Sequence, residues 1–237
     1  MNLKEKIAVV TGASDGIGKQ IALKLAKEGV SLALIARNEN RLTQVKQECL
    51  SLGSQKVEIY VCDLKVKEQI IKTATKIQDD FGKVEILINN AGIWQKIDQF
   101  DKATIDDIEN VISTNLTGLL MLTNLLLPVL RKQESLIINI SSHSGIEAKQ
   151  GQSLYCASKW GVTGFTESLR LDLKGSNVRV AGIYQGGTHT ELFQKANDPR
   201  ENELFNKFTK PEDLADVVVF MLSRPPQIWL HDVRIEY

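Results

Sequence analysis

The chain has 237 residues, 43% of them hydrophobic, and its 29 lysines and arginines are balanced by 29 aspartates and glutamates. A neutral chain without a basic block carries no electrostatic footprint for nucleic acid or an anionic membrane, so neither is expected as a partner. Length and apolar content suit one α/β domain over 1–237. The three cysteines, Cys49, Cys62 and Cys156, are far apart and offer neither a disulfide framework nor a metal motif, which points to a reducing, cytoplasmic setting.

The N-terminus, "MNLKEKIAVV", sets charges ahead of a very short apolar run and reads as a first strand, not as an export signal. Apolar, β-branched runs recur at 6–11, 31–36, 56–61, 84–89, 135–140, 177–183 and 231–237. Between them lie helix-patterned segments at 17–28, 39–52, 65–81, 104–131, 154–174 and 211–223. This alternation predicts an α/β fold with a doubly wound parallel sheet of seven strands and helices on both faces. Ligands then gather at the carboxyl ends of the strands. The stretch "VISTNLTGLLMLTNLLLPVL", 111–130, approaches membrane-spanning length but carries Asn115, Asn124 and Pro128, and reads as a buried or subunit-contact helix. A polar loop near 185–209 ends at Pro211 and is a candidate substrate lid.

After the first strand comes "TGASDGIG". Glycines allow a tight turn and close approach of backbone to a pyrophosphate, and the following helix N-terminus favours an anion. Gly12, Ser14, Asp15, Gly16, Ile17 and Gly18 are therefore candidate dinucleotide contacts. The second strand ends in Ala36 and Arg37 with no acid to take a ribose 2′-hydroxyl, which favours NADP(H) over NAD(H). Asp15 stands against that preference, and Arg37 is equally read as a solvated charge. Asp63, beside Leu64, is placed to meet an adenine amino group or to cap the next helix. In "NNAG", Asn89 and Asn90 can tie strand ends together while Ala91 and Gly92 leave room for a flat ligand.

In "SLYCASKW", Tyr155 and Lys159 lie four residues apart, hence on one helical face. Such a pair arises by chance on many helices, where Tyr packs and Lys stays in water. A cation one turn away can also favour the phenolate and fit tyrosine for acid/base work.

Together these motifs resemble the short-chain dehydrogenase/reductase family in its form of about 250 residues. The resemblance covers nearly the whole chain: TGxxxGxG at Thr11 to Gly18, Asp63, NNAG at 89–92, Asn115, Ser142 and YxxxK at 155–159. It implies a Rossmann-type fold and a carbonyl or alcohol substrate. Tyr155 would be the general acid/base, Lys159 would lower its pKa and hold the nicotinamide ribose, Ser142 would polarise the substrate oxygen, and Asn115 would serve a proton relay at a local helix distortion. Gly186, Thr188 and Thr190 would complete the cofactor contacts, and association into a homodimer or homotetramer would use the helices at 104–131 and 154–174. The chain departs from the family at Gln185, where Pro is usual, and in lacking a Gly-rich C-terminal tail.

Candidate substrate contacts are Trp94, His143, Gln152, Tyr184 and Phe193, with Gln95, Gln150 and His189 further possibilities. A dinucleotide-binding sensor or scaffold without turnover is the rival reading, and an isomerase or dehydratase a second. The intact Asn115, Ser142, Tyr155 and Lys159 argue against the first.

Overall fold

Seven apolar runs form the strands β1 (Ile7–Thr11), β2 (Ser31–Ala36), β3 (Val57–Val61), β4 (Ile86–Asn89), β5 (Ser135–Ile140), β6 (Val178–Gln185) and β7 (Asp232–Ile235). In the computed structural model, which describes residues 2–94, 99–196, 198, 207–225 and 227–236, they make one sheet in the order β3-β2-β1-β4-β5-β6-β7. Every neighbouring pair is parallel. Strand order reverses between β1 and β4, so the chain winds in opposite senses on either side and leaves a crevice at their carboxyl ends.

The helices are α1 (Gly16–Lys27), α2 (Glu39–Ser51), α3 (Lys67–Phe81), α4 (Ile105–Ile112), α5 (Gly118–Leu130), α6 (Ser153–Asp172), α7 (Leu192–Lys195) and α8 (Pro211–Ser223). Successive strand residues point to opposite faces. Ala8, Val10, Leu32 and Leu34 accordingly meet Ile21 and Leu25 of α1, Leu42 of α2 and Val218 of α8. Val9, Ala33 and Ile35 meet Ile70 and Ile77 of α3, Leu122 and Leu126 of α5, and Leu169 of α6. Burial of each such aliphatic side chain contributes about 1.5–3 kcal/mol, which fixes the register of the sheet and therefore of the loops at its edge.

One distortion that the family resemblance implied, at Asn115, and one departure from the sequence expectation bear on function. The segment 104–131 is not one regular helix: α4 and α5 are joined by a π-helical turn at Ser113–Thr117, with Asn115 fully buried inside it. By length and composition Ile105–Leu130 could cross a membrane, but Leu122, Leu126 and Leu130 are fully buried within the protein. Secondly, β6 runs two residues further than expected. Gln185 pairs with Ile235 and the Gly186 N–H donates to the Ile235 carbonyl at 2.8 Å. No proline ring stops the strand here, so the loop that follows starts from a paired position.

Gly118 opens α5 directly beneath the β3–α3 connection, where an added Cβ would lie 2.3 Å from the Leu64 carbonyl oxygen. Gly118→Ala is expected to cost about 1–3 kcal/mol through this backbone clash. Thermal melts should fall by several degrees; an unchanged melting temperature would disprove the tight packing.

Candidate active site

A cleft of about 1070 Å³ opens at the carboxyl ends of β1, β2 and β4, running from Arg37 and Asp63 to Tyr155 and Lys159. The turn after β1 depends on Gly12 and Gly16, both with positive φ (65° and 50°). A Cβ on Gly12 would meet the Asn90 side chain at 2.9 Å and Ala91 Cα at 3.0 Å, so the backbone itself is the wall. Gly18 does not line the cleft. A Cβ there would sit 2.2 Å from the Gly12 carbonyl oxygen, so its role is to let α1 press against the turn.

The carboxyl ends of β1 and β4 are stitched by side chains. Thr11 Oγ1 accepts from the N–H of Asn90 (2.9 Å) and of Ala91 (3.0 Å), while Asn90 Nδ2 donates to the Thr11 carbonyl (2.9 Å). Asn89 Nδ2 donates to Asn139 Oδ1 (2.8 Å) and Thr123 Oγ1 (2.9 Å), joining β4 to β5 and α5. Ser14, Asp15, Ile17, Leu64, Ala91 and Gly92 complete the floor. Asp15 sits at the N-cap of α1 without capping it, and the first turn holds no acid. Unfilled N–H groups beside a glycine cradle fit a pyrophosphate, and the length of the cleft fits a dinucleotide.

At the far end Arg37 is 62% exposed and stands 4.0 Å from Asp63. Asp63 does not cap α3, whose N-cap is Val66; its Oδ1 instead accepts from the Lys65 N–H (3.0 Å). Three charges missed in the sequence, Arg41, Glu191 and Lys195, gather round Asp15 at the same end. Arg41 Nη1 donates to Asp15 (2.9 Å) and Glu191 (2.8 Å), and Lys195 Nζ approaches Asp15 (2.5 Å) and Glu191 (3.3 Å). This ring ties α7 to the glycine turn and to α2. The sequence held one clue, an arginine four residues after Arg37, whereas Glu191 and Lys195 come from a distant loop.

At the near end Tyr155 and Lys159 project from α6 and are 6% and 5% exposed. Lys159 Nζ donates to the Ile140 carbonyl (3.0 Å) and lies 5.8 Å from the Tyr155 ring centroid. Ser142 Oγ accepts from the Ser144 N–H (3.1 Å). Asn115 Oδ1 accepts from the Ile93 N–H (2.7 Å), and its Nδ2 donates to the Ile93 carbonyl (3.0 Å) and Ser158 Oγ (3.1 Å). Burial pushes the Tyr155 phenol up to about 12, opposed by its hydrogen bond with Ser142. Burial also pulls the Lys159 ammonium down to about 8. Burial is the largest influence on the phenol, and Lys159 is not among the groups that move it.

Tyr155 also borders a second cavity of about 210 Å³, lined among others by Ser142, His143, Gln152, Trp94, Phe193 and Phe208. Trp94 packs edge-on to Tyr155 (centroids 4.6 Å) and to Phe193 (5.0 Å). Gly186 and Thr188, expected against the cofactor, line this smaller cavity and not the cleft, whereas Thr190 lines both. Tyr184 borders neither: its hydroxyl donates to Asp232 at 3.2 Å, on a strand residue that turns into the sheet layer. Gln150 and His189 are exposed and border neither. Gln95 lies outside the described residues. Phe208, beyond a stretch with no motif, gave no signal in the sequence.

Comparison with known proteins agrees with this geometry. A family model described as short chain dehydrogenase matches residues 6–201. An uncharacterised oxidoreductase of Staphylococcus saprophyticus is 33% identical over 236 residues, covering 99% of this chain and 98% of its own. The 3-oxoacyl-[acyl-carrier-protein] reductase of Thermotoga maritima is 33% identical over 229 residues, with 94% and 92% covered. Among solved structures, a metagenomic short-chain oxidoreductase in complex with NADP superposes with a TM-score of 0.86 at 29% identity, each chain covered completely. The chain, with its reversed strand order, glycine turn and buried Tyr155 and Lys159, belongs to the short-chain dehydrogenase/reductase family of oxidoreductases.

Proposed function

We propose that the protein, acting as a single catalytic domain, is an NADP(H)-dependent oxidoreductase that interconverts a ketone or aldehyde and its alcohol. The observation that carries this reading is the position of Tyr155, which borders both the long cleft and the small cavity beside it. When bound in the cleft, the dinucleotide supplies a hydride for reduction and takes one in oxidation. Tyr155, held protonated at neutral pH by burial, gives its hydroxyl proton to the oxygen as the carbonyl becomes an alkoxide, and takes a proton back in the reverse direction. Ser142, which draws the Tyr155 phenol downward against burial, donates to the same oxygen and stabilises its developing charge. Lys159 stands behind the phenol to stabilise it once the proton has left. Asn115 holds the Ile93 backbone and Ser158 so that a proton can reach Lys159 from solvent.

Preference for the 2′-phosphate is supported by Arg37 and Arg41 at the far end of the cleft and by the NADP held in the metagenomic relative. The decisive experiment is titration with NADPH and NADH followed by a carbonyl screen. NADPH should bind more tightly, and Arg37→Ala should lose about tenfold of that preference, the effect of one charged hydrogen bond. Tyr155→Phe should keep dinucleotide binding and lose about 10²–10⁴ in kcat. Binding without turnover of any carbonyl would favour the sensor or scaffold instead.

Lys159 also sets a pH dependence. It is charged below about 8 and neutral above, and only the charged form stabilises the phenolate that proton donation leaves behind. Reduction measured as kcat/KM should therefore fall as pH rises through about 8. A flat profile across that value would remove Lys159 from the proton path.

Association into a cytoplasmic homodimer or homotetramer completes the reading, supported by Ile105 (70% exposed) on α4 and Trp160 (48% exposed) on α6. Light scattering should show a mass of two or four chains that Trp160→Glu reduces. A wild-type monomer would refute it.

A further inference from the structure

Asp15 is an awkward residue for the cleft. It lines the wall, and a carboxylate there repels the phosphates of a dinucleotide, most of all one that carries a further phosphate on its ribose. That charge does not stand alone. Asp15 Oδ2 receives two cations at once, Arg41 Nη1 at 2.9 Å and Lys195 Nζ at 2.5 Å. Arg41 belongs to α2, whereas Lys195 belongs to α7 and lies 180 residues beyond Asp15 in the chain.

Asp15, Arg41 and Lys195 all line the cleft. Glu191 accepts from Arg41 at 2.8 Å and pairs with Lys195 at 3.3 Å, yet it is not among the lining residues. The acid that ties the two cations to each other therefore stays out of the wall, and beside the glycine turn the wall shows two positive charges against one negative. At the neighbouring strand ends the balance is even, with Arg37 4.0 Å from Asp63 and both in the lining. Arg41 by itself would only bring Asp15 to the same balance. Lys195 is the charge that leaves this stretch of wall positive.

Resting on the NADP(H) reading above, we infer that Lys195 is a specificity-determining residue: it offsets Asp15 and so admits the 2′-phosphate to a cleft whose glycine turn carries an acid. Selectivity of this kind comes from removing a repulsion as much as from adding an attraction. Without Lys195, the single Arg41 guanidinium is divided among Asp15, Glu191 and the phosphate. NADH has the same pyrophosphate and nicotinamide but no 2′-phosphate, so its affinity serves as the internal reference.

Dissociation constants for NADPH and NADH, read from nicotinamide fluorescence in low-salt buffer where exposed charges are least screened, test this. The proteins are wild type, Lys195→Ala, Asp15→Asn and the double variant. The preference for NADPH, as the ratio of the two constants, should fall about fivefold in Lys195→Ala, the upper range for an ion pair as exposed as this one. In the double variant it should return to the wild-type value or above, because the repulsion has gone with the cation. Taking a ratio cancels differences in how much of each variant folds. An unchanged ratio in Lys195→Ala, including an equal loss of both cofactors, overturns the role of Lys195 and leaves the NADP(H) reading in place. A fall that Asp15→Asn does not repair overturns the offset of Asp15. Wild-type protein that binds NADPH no more tightly than NADH overturns both readings.

Discussion

The site depends on how two strand ends are held together where the sheet reverses its order. A parallel sheet offers backbone pairing along its length, but past Thr11 and Asn89 the ladder has ended and two chains must part to form a cleft. Thr11 Oγ1, by accepting two backbone N–H groups at once, and Asn90 Nδ2, by donating to the Thr11 carbonyl, carry the pairing one step further through side chains. Because these groups are largely withdrawn from water, losing one partner would strand the other unsatisfied. The glycine turn on one side and the Ile93–Trp94 segment on the other take their positions from this joint.

From the joint inward, burial sets the chemistry. Tyr155 and Lys159 of α6 are displaced in opposite directions, the phenol up and the ammonium down, both by loss of hydration. Their working values thus move apart, from nearly equal ordinary values to about 12 and about 8, giving a pair in which the phenol keeps its proton and the ammonium gives its own up more easily. The π turn at Asn115 has a similar economy of parts. A regular helix from Ile105 to Leu130 would turn this side chain elsewhere; the extra residue of the π turn lets Asn115 satisfy both backbone groups of Ile93 and still reach Ser158.

The fold was readable from the sequence because its central strands are buried on both faces, and such strands leave apolar runs that need no long-range information. The four residues proposed for catalysis could be picked out for a different reason: they lie within short motifs whose spacing survives as geometry, as with Tyr155 and Lys159 on one turn of α6. What stayed hidden were the contacts between distant residues that belong to no motif. Arg41, Glu191 and Lys195 are ordinary surface charges until folding brings α7 over the glycine turn. Phe208 is a lone aromatic until it meets Phe193. Tyr184 misled in the opposite sense, since alternation along β6 sends it toward Asp232 and not toward the cavity, a choice of face that a strand at a sheet's edge region does not disclose.

The charge ring that joins α7 to the cleft has a thermal consequence. Its four side chains are each between about a third and a half exposed, and ion pairs of that kind contribute only about 0.2–1 kcal/mol apiece. The core beneath, with dozens of fully buried aliphatic groups, opens only with the whole protein. Two layers of very different strength therefore meet at the cleft's rim. The ion pairs by themselves hold α7 only weakly, and its firmer hold is Phe193, packed between Trp94 and Phe208.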